Sequence, residues 1–269
     1  MTIPAFGRLV RLYSQAIHRL FPGRTLLDVI DQPWLMDTPE FIAASERIAL
    51  AMAKEVTHAN ASSWRAAAFK AQGGKRIYAA LKEDLATSQL ALRMIAARNA
   101  RLIRSLPRDI AQQVTKQALE LQSKGARPAE LAKFIREQAP KTAKWKIQLI
   151  ARTEIARSES DVTRVRSQRI GIDWFEWSTS RDARVRKSHR NMENVLVSWS
   201  DLPSPEALVG ERNVSHYGPG GVWNCRCAAL PLADLNEVRW PVKVYRSGSL
   251  QRMSRAQFLN IAGEYRKAA

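Results

Sequence analysis

Cysteine is scarce in this sequence, and that scarcity excludes a fold held by disulfides. Of 269 residues only Cys225 and Cys227 are cysteines, and one residue separates them. A disulfide between such near neighbours would close a strained small ring. We therefore expect reduced thiols in a cytosolic setting, and a fold stabilised by its apolar core and polar contacts.

Long apolar runs are also missing. No stretch of about 18 consecutive apolar residues occurs, which argues against a membrane-spanning helix. Arg8 and Arg11 interrupt the apolar residues near the N-terminus and argue against a secretory signal. We therefore expect no membrane partner.

Acidic residues are outnumbered by basic ones. The chain has 43 lysines and arginines against 25 acidic residues, a net charge of +18. Such an excess attracts polyanions: DNA, RNA or an acidic protein surface. No zinc finger, helix-turn-helix or RRM signature indicates base readout, so we expect any contact with DNA to be to its phosphates.

The spacing of apolar residues predicts an almost purely helical first half. Residues 4–21 carry apolar side chains three and four positions apart, typical of a helix that packs on the chain's own core or docks onto a partner. A third interpretation is a basic amphipathic helix that lies on a membrane surface, which the shortness of the apolar face disfavours. Since proline ends or kinks helices, we expect breaks at Pro107 and Pro140. Residues 142–169 are predicted to form a further helix.

The pattern changes after Gly171. Segments at 173–177, 228–232 and 242–246 predict short strands, with a short helix near 182–191 and a final one over 254–267. The predicted fold class is α+β: a mainly helical N-terminal half followed by a small loop-rich mixed α/β module with a few short strands. We expect domains at 1–126, 127–235 and 236–269, the last a C-terminal strand and helix.

One group of polar residues lies early in that module. Asp182, Arg186 and His189 are spaced four and three apart, so on a helix they would share a face. The structural interpretation is a polar network in which Asp182 orients an arginine and His189 bridges a loop. The functional alternative is a phosphate-binding or acid/base cluster. We favour the structural one, because a loop-rich domain needs polar contacts to hold its loops.

The two cysteines offer both sulfurs to one point. On an extended segment, residues two apart point the same way. Thiolates and imidazoles suit a tetrahedral Zn²⁺, and His189 and His216 are the nitrogens nearest in sequence to Cys225 and Cys227. The sequence thus offers these four residues as ligands of a structural zinc ion. The alternative is a pair of small buried thiols that pack a tight turn.

Basic residues are concentrated around the same helix. Residues 181–190 hold five of them against Asp182 alone, a local charge of +4: Arg181, Arg184, Arg186, Lys187 and Arg190. This segment is the predicted DNA-binding surface, because phosphate contact independent of sequence needs only such charge.

A catalytic arrangement is not evident. A metal-dependent nuclease would suit a basic surface, but no HNH-type motif or paired carboxylates occur. We predict no enzymatic activity. A metal-dependent nuclease and a free nucleic-acid-binding protein remain the alternatives.

Three groups of residues follow one another in this span. They are Arg152-Thr153-Glu154; then Trp177, Asp182, Arg184, Arg186 and His189; then Asn224-Cys225-Arg226-Cys227, followed by a proline. This order resembles the phage Mu F-like minor head protein family, over roughly residues 127–232. Three positions depart from the family: Val222-Trp223 replaces His-Pro, and Asn194 replaces a glycine. Asparagine tolerates positive φ, so we expect the turn at Asn194 to be kept.

The resemblance implies a structural minor head (capsid) protein of a tailed phage, acting in head morphogenesis and in DNA packaging or delivery. The implied partners are the portal protein, the major capsid protein and the packaged DNA. The implied location is the inside of the virion head near the portal vertex, after assembly in the host cytoplasm. Residues 127–235 would be the Mu F-like module, and residues 1–126 would dock onto the portal.

Overall fold

The computed structural model describes residues 3–20, 37–70, 85–124, 126–212 and 215–268. Its contacts divide the chain into two units. The helical unit comprises Thr2–Val56 and Leu92–Ile155, and the sheet unit comprises Thr57–Ala91 and Ala156–Ala269. The three domains expected from the sequence divide the chain at other points and stay a prediction.

Four long helices lie in the described part of the first 169 residues: α1 (Ile3–Arg19), α2 (Pro39–Lys70), α3 (Leu85–Ser123) and α4 (Pro128–Arg169). The start of α2 follows from its sequence, because Thr38 Oγ1 accepts the Phe41 N–H at 3.4 Å as an N-cap does. On α1, Leu9, Tyr13 and Ile17 are buried, and Ile17 belongs to the core of the helical unit. The apolar face of α1 thus packs within its own unit, which was one of the three interpretations of its sequence.

The breaks predicted at Pro107 and Pro140 were wrong. Pro107 lies inside α3 and Pro140 inside α4. Leu106 and Ile110 flank the first proline, Ala139 and Ala143 flank the second, and all four are buried in the core of the helical unit. Fully burying a leucine or isoleucine side chain stabilises by about 1.5–3 kcal/mol, so the packing of Leu106 and Ile110 offsets the helical hydrogen bond lost at Pro107. Near Pro140 the two alanines contribute less, and the buried Ile147 of the same helix adds to them.

The sheet unit contains five strands: β1 (Trp174–Thr179), β2 (Val195–Ser198), β3 (Cys227–Pro231), β4 (Val242–Arg246) and β5 (Ser249–Met253). Their order is β3-β1-β2-β4-β5. β1 pairs antiparallel with both β2 and β3, so Trp177 stands opposite Val195 on one side and Ala229 on the other. β2 pairs parallel with β4, and β4 pairs antiparallel with β5.

Both faces of this sheet are covered by apolar side chains. One cluster contains Phe175 and Trp177 of β1, and the other contains Trp174 of the same strand. Phe258 of the last helix, α6 (Arg255–Ala268), packs in the second cluster at 4.9 Å between its ring centroid and that of Trp174. The alternation along β1 is the period of two that a strand imposes.

The α+β class predicted from the sequence is confirmed, together with three of the strands. β2 was not predicted, because its four residues are buried on both faces and carry no polar–apolar alternation. β5 was not predicted either, since only Met253 at its end is fully buried. The strands after residue 236 lie in the same sheet as those of the predicted module.

The helix expected near 182–191 is shorter than predicted. It is α5 (Lys187–Asn191), and Arg186 before it is extended, with φ −60° and ψ 151°. Asp182 therefore shares no helical face with Arg186 and His189, and that prediction was wrong. The Asp182 carboxylate accepts the Arg184 N–H at 2.9 Å, and such local side-chain bonds compete with a helix. The turn at Asn194 is kept, with φ 58°.

Across the described ranges, no helix combines the length and the hydropathy that crossing a membrane requires.

Candidate metal-binding site

Three segments of the sheet unit bring one imidazole and two thiols together. α5 supplies His189, the loop before β3 supplies Cys225, and Cys227 opens β3 opposite Thr179 of β1. Beyond the strand ends the pairing continues, because the Ser180 N–H donates to the Arg226 carbonyl at 2.8 Å. The strand register thereby fixes where both sulfurs lie.

The three side chains converge on the Nδ1 atom of His189. Cys227 Sγ lies 3.3 Å from it and Cys225 Sγ lies 3.6 Å from it. All three donor atoms lie within 4.8 Å of one another. His189 and Cys225 are buried, and Cys227 is partly exposed. The geometry is that of a group able to hold a metal ion.

The other imidazole nitrogen is held by a buried polar pair. His189 Nε2 lies 2.9 Å from the Tyr217 hydroxyl oxygen. That hydroxyl donates to Glu206, whose two carboxylate oxygens lie 2.7 and 2.8 Å away. Burial, and then the hydrogen bond to Glu206, raises the pKa of Tyr217, so the hydroxyl keeps its proton.

This chain of contacts sets the tautomer of His189. The single Tyr217 proton is directed to the carboxylate, so the hydroxyl oxygen is left to accept a proton from Nε2. A neutral imidazole with its proton on Nε2 presents the lone pair of Nδ1 to the two sulfurs. His189 is thus oriented as a metal ligand is.

The two thiols are unequal. The hydrogen bond from Cys227 lowers the pKa of Cys225 despite its burial, and the Gly220 N–H lowers it further. The same bond between the sulfurs, together with burial, raises the pKa of Cys227. One thiolate shared with one thiol proton is the arrangement that these contacts favour.

The loop that contains Gly220 and Gly221 packs closely against α4 and contacts Cys225. Gly220, at φ +83°, donates its N–H to Cys225 Sγ at 3.2 Å. A Cβ added at Gly220 would lie 2.6 Å from the Ala156 carbonyl oxygen. Next to it, Arg157 donates to the Gly221 carbonyl at 2.6 Å. At position 220 only glycine fits, because both the positive φ and the close approach to Ala156 exclude a side chain.

Asp182 joins the same loop to the segment after β1. Its carboxylate lies 2.5 Å from an Arg226 nitrogen and 3.8 Å from an Arg184 nitrogen, and it accepts the Ser180 hydroxyl at 3.2 Å. Desolvation acts to raise the pKa of Asp182, but the hydrogen bonds from Arg184 and Arg226 outweigh it and lower the pKa. The arginine that Asp182 orients is Arg226.

The predicted basic surface is partly engaged in contacts of its own. Arg181 pairs with Glu193 at 2.7 Å, and Arg186 donates to the Trp223 carbonyl at 2.7 Å. Arg190 donates to the Val185 carbonyl at 3.0 Å. Arg184 and Lys187 are exposed, although Arg184 faces Asp182.

Other predicted residues lie elsewhere. Thr153 and Glu154 are buried in the helical unit, where Glu154 pairs with Arg98 at 2.8 Å, and Arg152 beside them is half-buried. His216 is exposed, with its Nδ1 2.8 Å from the Leu202 carbonyl oxygen. Among the described residues it does not join the group that could hold a metal ion.

Asn224 takes the backbone conformation that its place before the cysteines requires. Its φ is 54°, in the region that asparagine tolerates better than other non-glycine residues. Trp177 lies in the sheet core with its ring 5.8 Å from that of His189.

Sequence reasoning missed the two residues behind His189. Tyr217 and Glu206 stand in loops rich in glycine and proline and fall in no periodic pattern. Only their tertiary placement against α5 reveals them. Glu193 was missed for the same reason: it accepts the Thr179 N–H at 2.6 Å and caps the end of β1.

The fold and the site define an α+β module whose loops are held by buried polar contacts around an imidazole and two thiols. Residues 109–230 match the model of the family described as Phage Mu protein F like protein, and this confirms the resemblance expected from the sequence. That segment of the chain is therefore Mu protein F-like. The family indicates that this segment serves phage head morphogenesis.

One relative extends this comparison. A protein of Haemophilus influenzae (strain ATCC 51907 / DSM 11121 / KW20 / Rd), described as an uncharacterized protein, is 28% identical over 143 residues. The matched region is 53% of this chain and 30% of that protein, so the chain spans less than a third of the relative's length. No solved structure gives a significant match.

Proposed function

We propose that this chain is a minor head protein of a tailed phage that associates with the portal and the inner head, and serves DNA packaging or delivery. The observation that carries the proposal is the match of residues 109–230 to the Mu protein F-like family. Its expected partners are the portal protein, the major capsid protein and packaged DNA.

The contacts of the motif residues support a scaffolding role. Asp182 engages Arg226, and Arg186 engages the carbonyl of Trp223, so both bridge the loop before β3 to the segment after β1. Residues engaged in this way hold loops in place. We therefore propose no enzymatic activity, with His189 acting through its position and not through a reaction.

Contact with DNA would come from charge alone. The chain carries a net charge of +18, and the exposed Arg184 and Lys187 extend from one short segment. Each phosphate neutralised by a basic residue releases condensed counterions, which makes the affinity salt-dependent and independent of sequence. Such contact suits a protein that meets densely packed DNA.

The location is tested on intact heads. Density for this chain is sought at the portal vertex, in heads assembled with and without it, and packaged DNA is measured in both. We expect density next to the portal and less packaged DNA where the chain is absent. A chain spread over the whole capsid lattice, or absent from the heads, would overturn the proposal.

The DNA contact is tested by the slope of affinity against salt. The wild type should bind unrelated duplexes alike, and replacing Arg184 and Lys187 by alanine should reduce the slope by about 2, one for each lost phosphate contact. Replacing Lys116 and Lys133, which are exposed in the helical unit, removes the same charge and serves as the matched control.

Three results would count against this account of the DNA contact. They are a strong preference for one duplex at moderate salt, an equal loss in the control pair, or cleavage of the DNA with Mg²⁺ or Zn²⁺. The first would favour a sequence-reading DNA-binding protein, and the third would favour the nuclease.

A further inference from the structure

The donor set at His189 has the spacing of a metal site. In a tetrahedral zinc site with Zn–S of about 2.3 Å and Zn–N of about 2.0–2.1 Å, a sulfur and a nitrogen lie about 3.6 Å apart. Cys225 Sγ and Cys227 Sγ lie 3.6 and 3.3 Å from His189 Nδ1. An ordinary turn packed by thiols has no need to place both sulfurs around one ring nitrogen.

The residues that hold the His189 ring are also arranged as they are around metal-bound histidines. Metal-bound histidines usually donate their second N–H to an oxygen that fixes the ring, and that partner raises metal affinity. Here the Tyr217 hydroxyl fills this role at 2.9 Å, and the buried Glu206 holds Tyr217 in turn. Glu206 also accepts the hydroxyl of Ser188 at 3.3 Å, so its position is fixed from two sides.

The backbone is arranged for a thiolate at Cys225. The Gly220 N–H points at its sulfur from 3.2 Å, and such donors stabilise negative sulfur. The backbone at Gly220 packs closely on α4, since a Cβ added there would lie 2.6 Å from the Ala156 carbonyl oxygen. The donor is therefore held in place before any ion arrives.

We propose that His189 Nδ1, Cys225 Sγ and Cys227 Sγ bind one Zn²⁺ ion, with a water molecule as the fourth ligand and with Tyr217 and Glu206 orienting the imidazole. Two thiolates and an imidazole select a soft, tetrahedral ion over Mg²⁺ or Ca²⁺, which prefer oxygen ligands. The partly exposed Cys227 leaves solvent access for the water. His216 takes no part.

The ion would join parts of the module that are distant in sequence. It would tie α5 to the loop before β3 and to the first residue of β3. This role does not depend on the head location or on the contact with DNA. A chain that binds zinc but never enters a head would support the zinc site and contradict the proposed head location. A chain that enters heads but binds no zinc would do the opposite.

The first test uses the full-length chain purified without chelator. We expect about one zinc per chain by elemental analysis. Cobalt replacing zinc should give an intense near-ultraviolet thiolate-to-cobalt absorption, together with visible bands of a tetrahedral ion. A chain that holds no zinc after dialysis against Zn²⁺, and that gives no thiolate band with Co²⁺, overturns the proposal without any variant.

Variants assign the ligands. Cys225→Ser and Cys227→Ser should each weaken the thiolate band and lower the metal affinity, and His189→Ala should lower the affinity. Tyr217→Phe keeps all three ligands and should weaken zinc binding by about 10- to 100-fold, the usual effect of losing such a partner. His216→Ala is the matched control and should leave content and spectrum unchanged. Lost binding in His216→Ala, or full binding in Cys227→Ser, would overturn the assignment.

Discussion

Replacing Gly220 by alanine should destabilise the sheet unit more than the same change at any exposed glycine turn. Two costs add up. At φ +83° a Cβ costs about 1–2 kcal/mol, since left-handed backbone brings it close to the following carbonyl. The Cβ would also lie 2.6 Å from the Ala156 oxygen, and relieving such overpacking costs about 1–3 kcal/mol. The expected total is about 2–5 kcal/mol.

The contact at Gly220 is hard to relieve. The atom it would meet belongs to the backbone of α4, so no side-chain rotation makes room. The loop would have to move as a whole, and it carries the Cys225 sulfur and the Gly221 carbonyl that Arg157 binds. We therefore expect the upper part of that range.

Gly210→Ala is the matched control. Gly210 has nearly the same backbone angle, φ +74°, but nothing lies within 4 Å of the added Cβ. Gly210→Ala should therefore lower the free energy of unfolding only by the cost of the positive φ, about 1–2 kcal/mol. Urea unfolding of the full chain, with amide exchange of β1 and β3 reporting the sheet unit, measures both variants. Equal losses in the two variants would refute the reasoning from the Ala156 contact.

Two further perturbations test the polar contacts away from the sulfurs. Arg98→Met removes the arginine that pairs with the buried Glu154 at 2.8 Å, and it should cost about 2–4 kcal/mol, somewhat below a fully buried pair because Arg98 is 26% exposed. The exposed Arg101→Met should change little in the same urea titration. Desolvation acts to raise the pKa of Glu193, but hydrogen bonds from Thr179 and Arg181 outweigh it and hold that pKa below 4.5. Ionised Glu193 therefore adds to the free energy of unfolding above pH 4.5, and this stabilisation is lost as the pH falls through the pKa of Glu193 in the folded chain. Glu193→Gln should therefore be destabilising at neutral pH, with the difference shrinking as the pH falls through the lowered pKa of Glu193. The comparison should be made in a Glu176→Gln background, because burial and Glu193 raise the pKa of Glu176, and its titration changes stability with pH in the opposite direction. A difference in stability that does not change with pH would count against the role of Glu193.

The fold class was predictable because periodicity is a local property. Helical spacing in the first half and short alternating segments in the second specify α+β without any tertiary information. The helix breaks were not predictable in the same way. Pro107 and Pro140 carry a strong local signal, but the residues that overrule it, such as Leu106 and Ala139, act through packing in the helical unit.

The site was predictable in its donors and not in its surroundings. His189 and the two cysteines are chemically distinctive, so their types alone indicated them. Tyr217 and Glu206 have no such mark, and their role depends on loop positions that the sequence does not reveal. His216 was chosen because it is close in sequence to Cys225, whereas its side chain contacts the Leu202 carbonyl.

The strand order also has a consequence for how the chain is made. β1 and β2 are synthesised first, yet each needs a neighbour that comes later: β3 beside β1, and β4 beside β2. On the ribosome, the β1–β2 pair would carry two open edges, and β2 would expose Val195, Leu196 and Val197 until the later strands emerge. Open apolar edges pair readily with other chains, so a nascent chain stopped before Val242 would be prone to aggregate. Translation through the final segment is thus the step that protects this sheet.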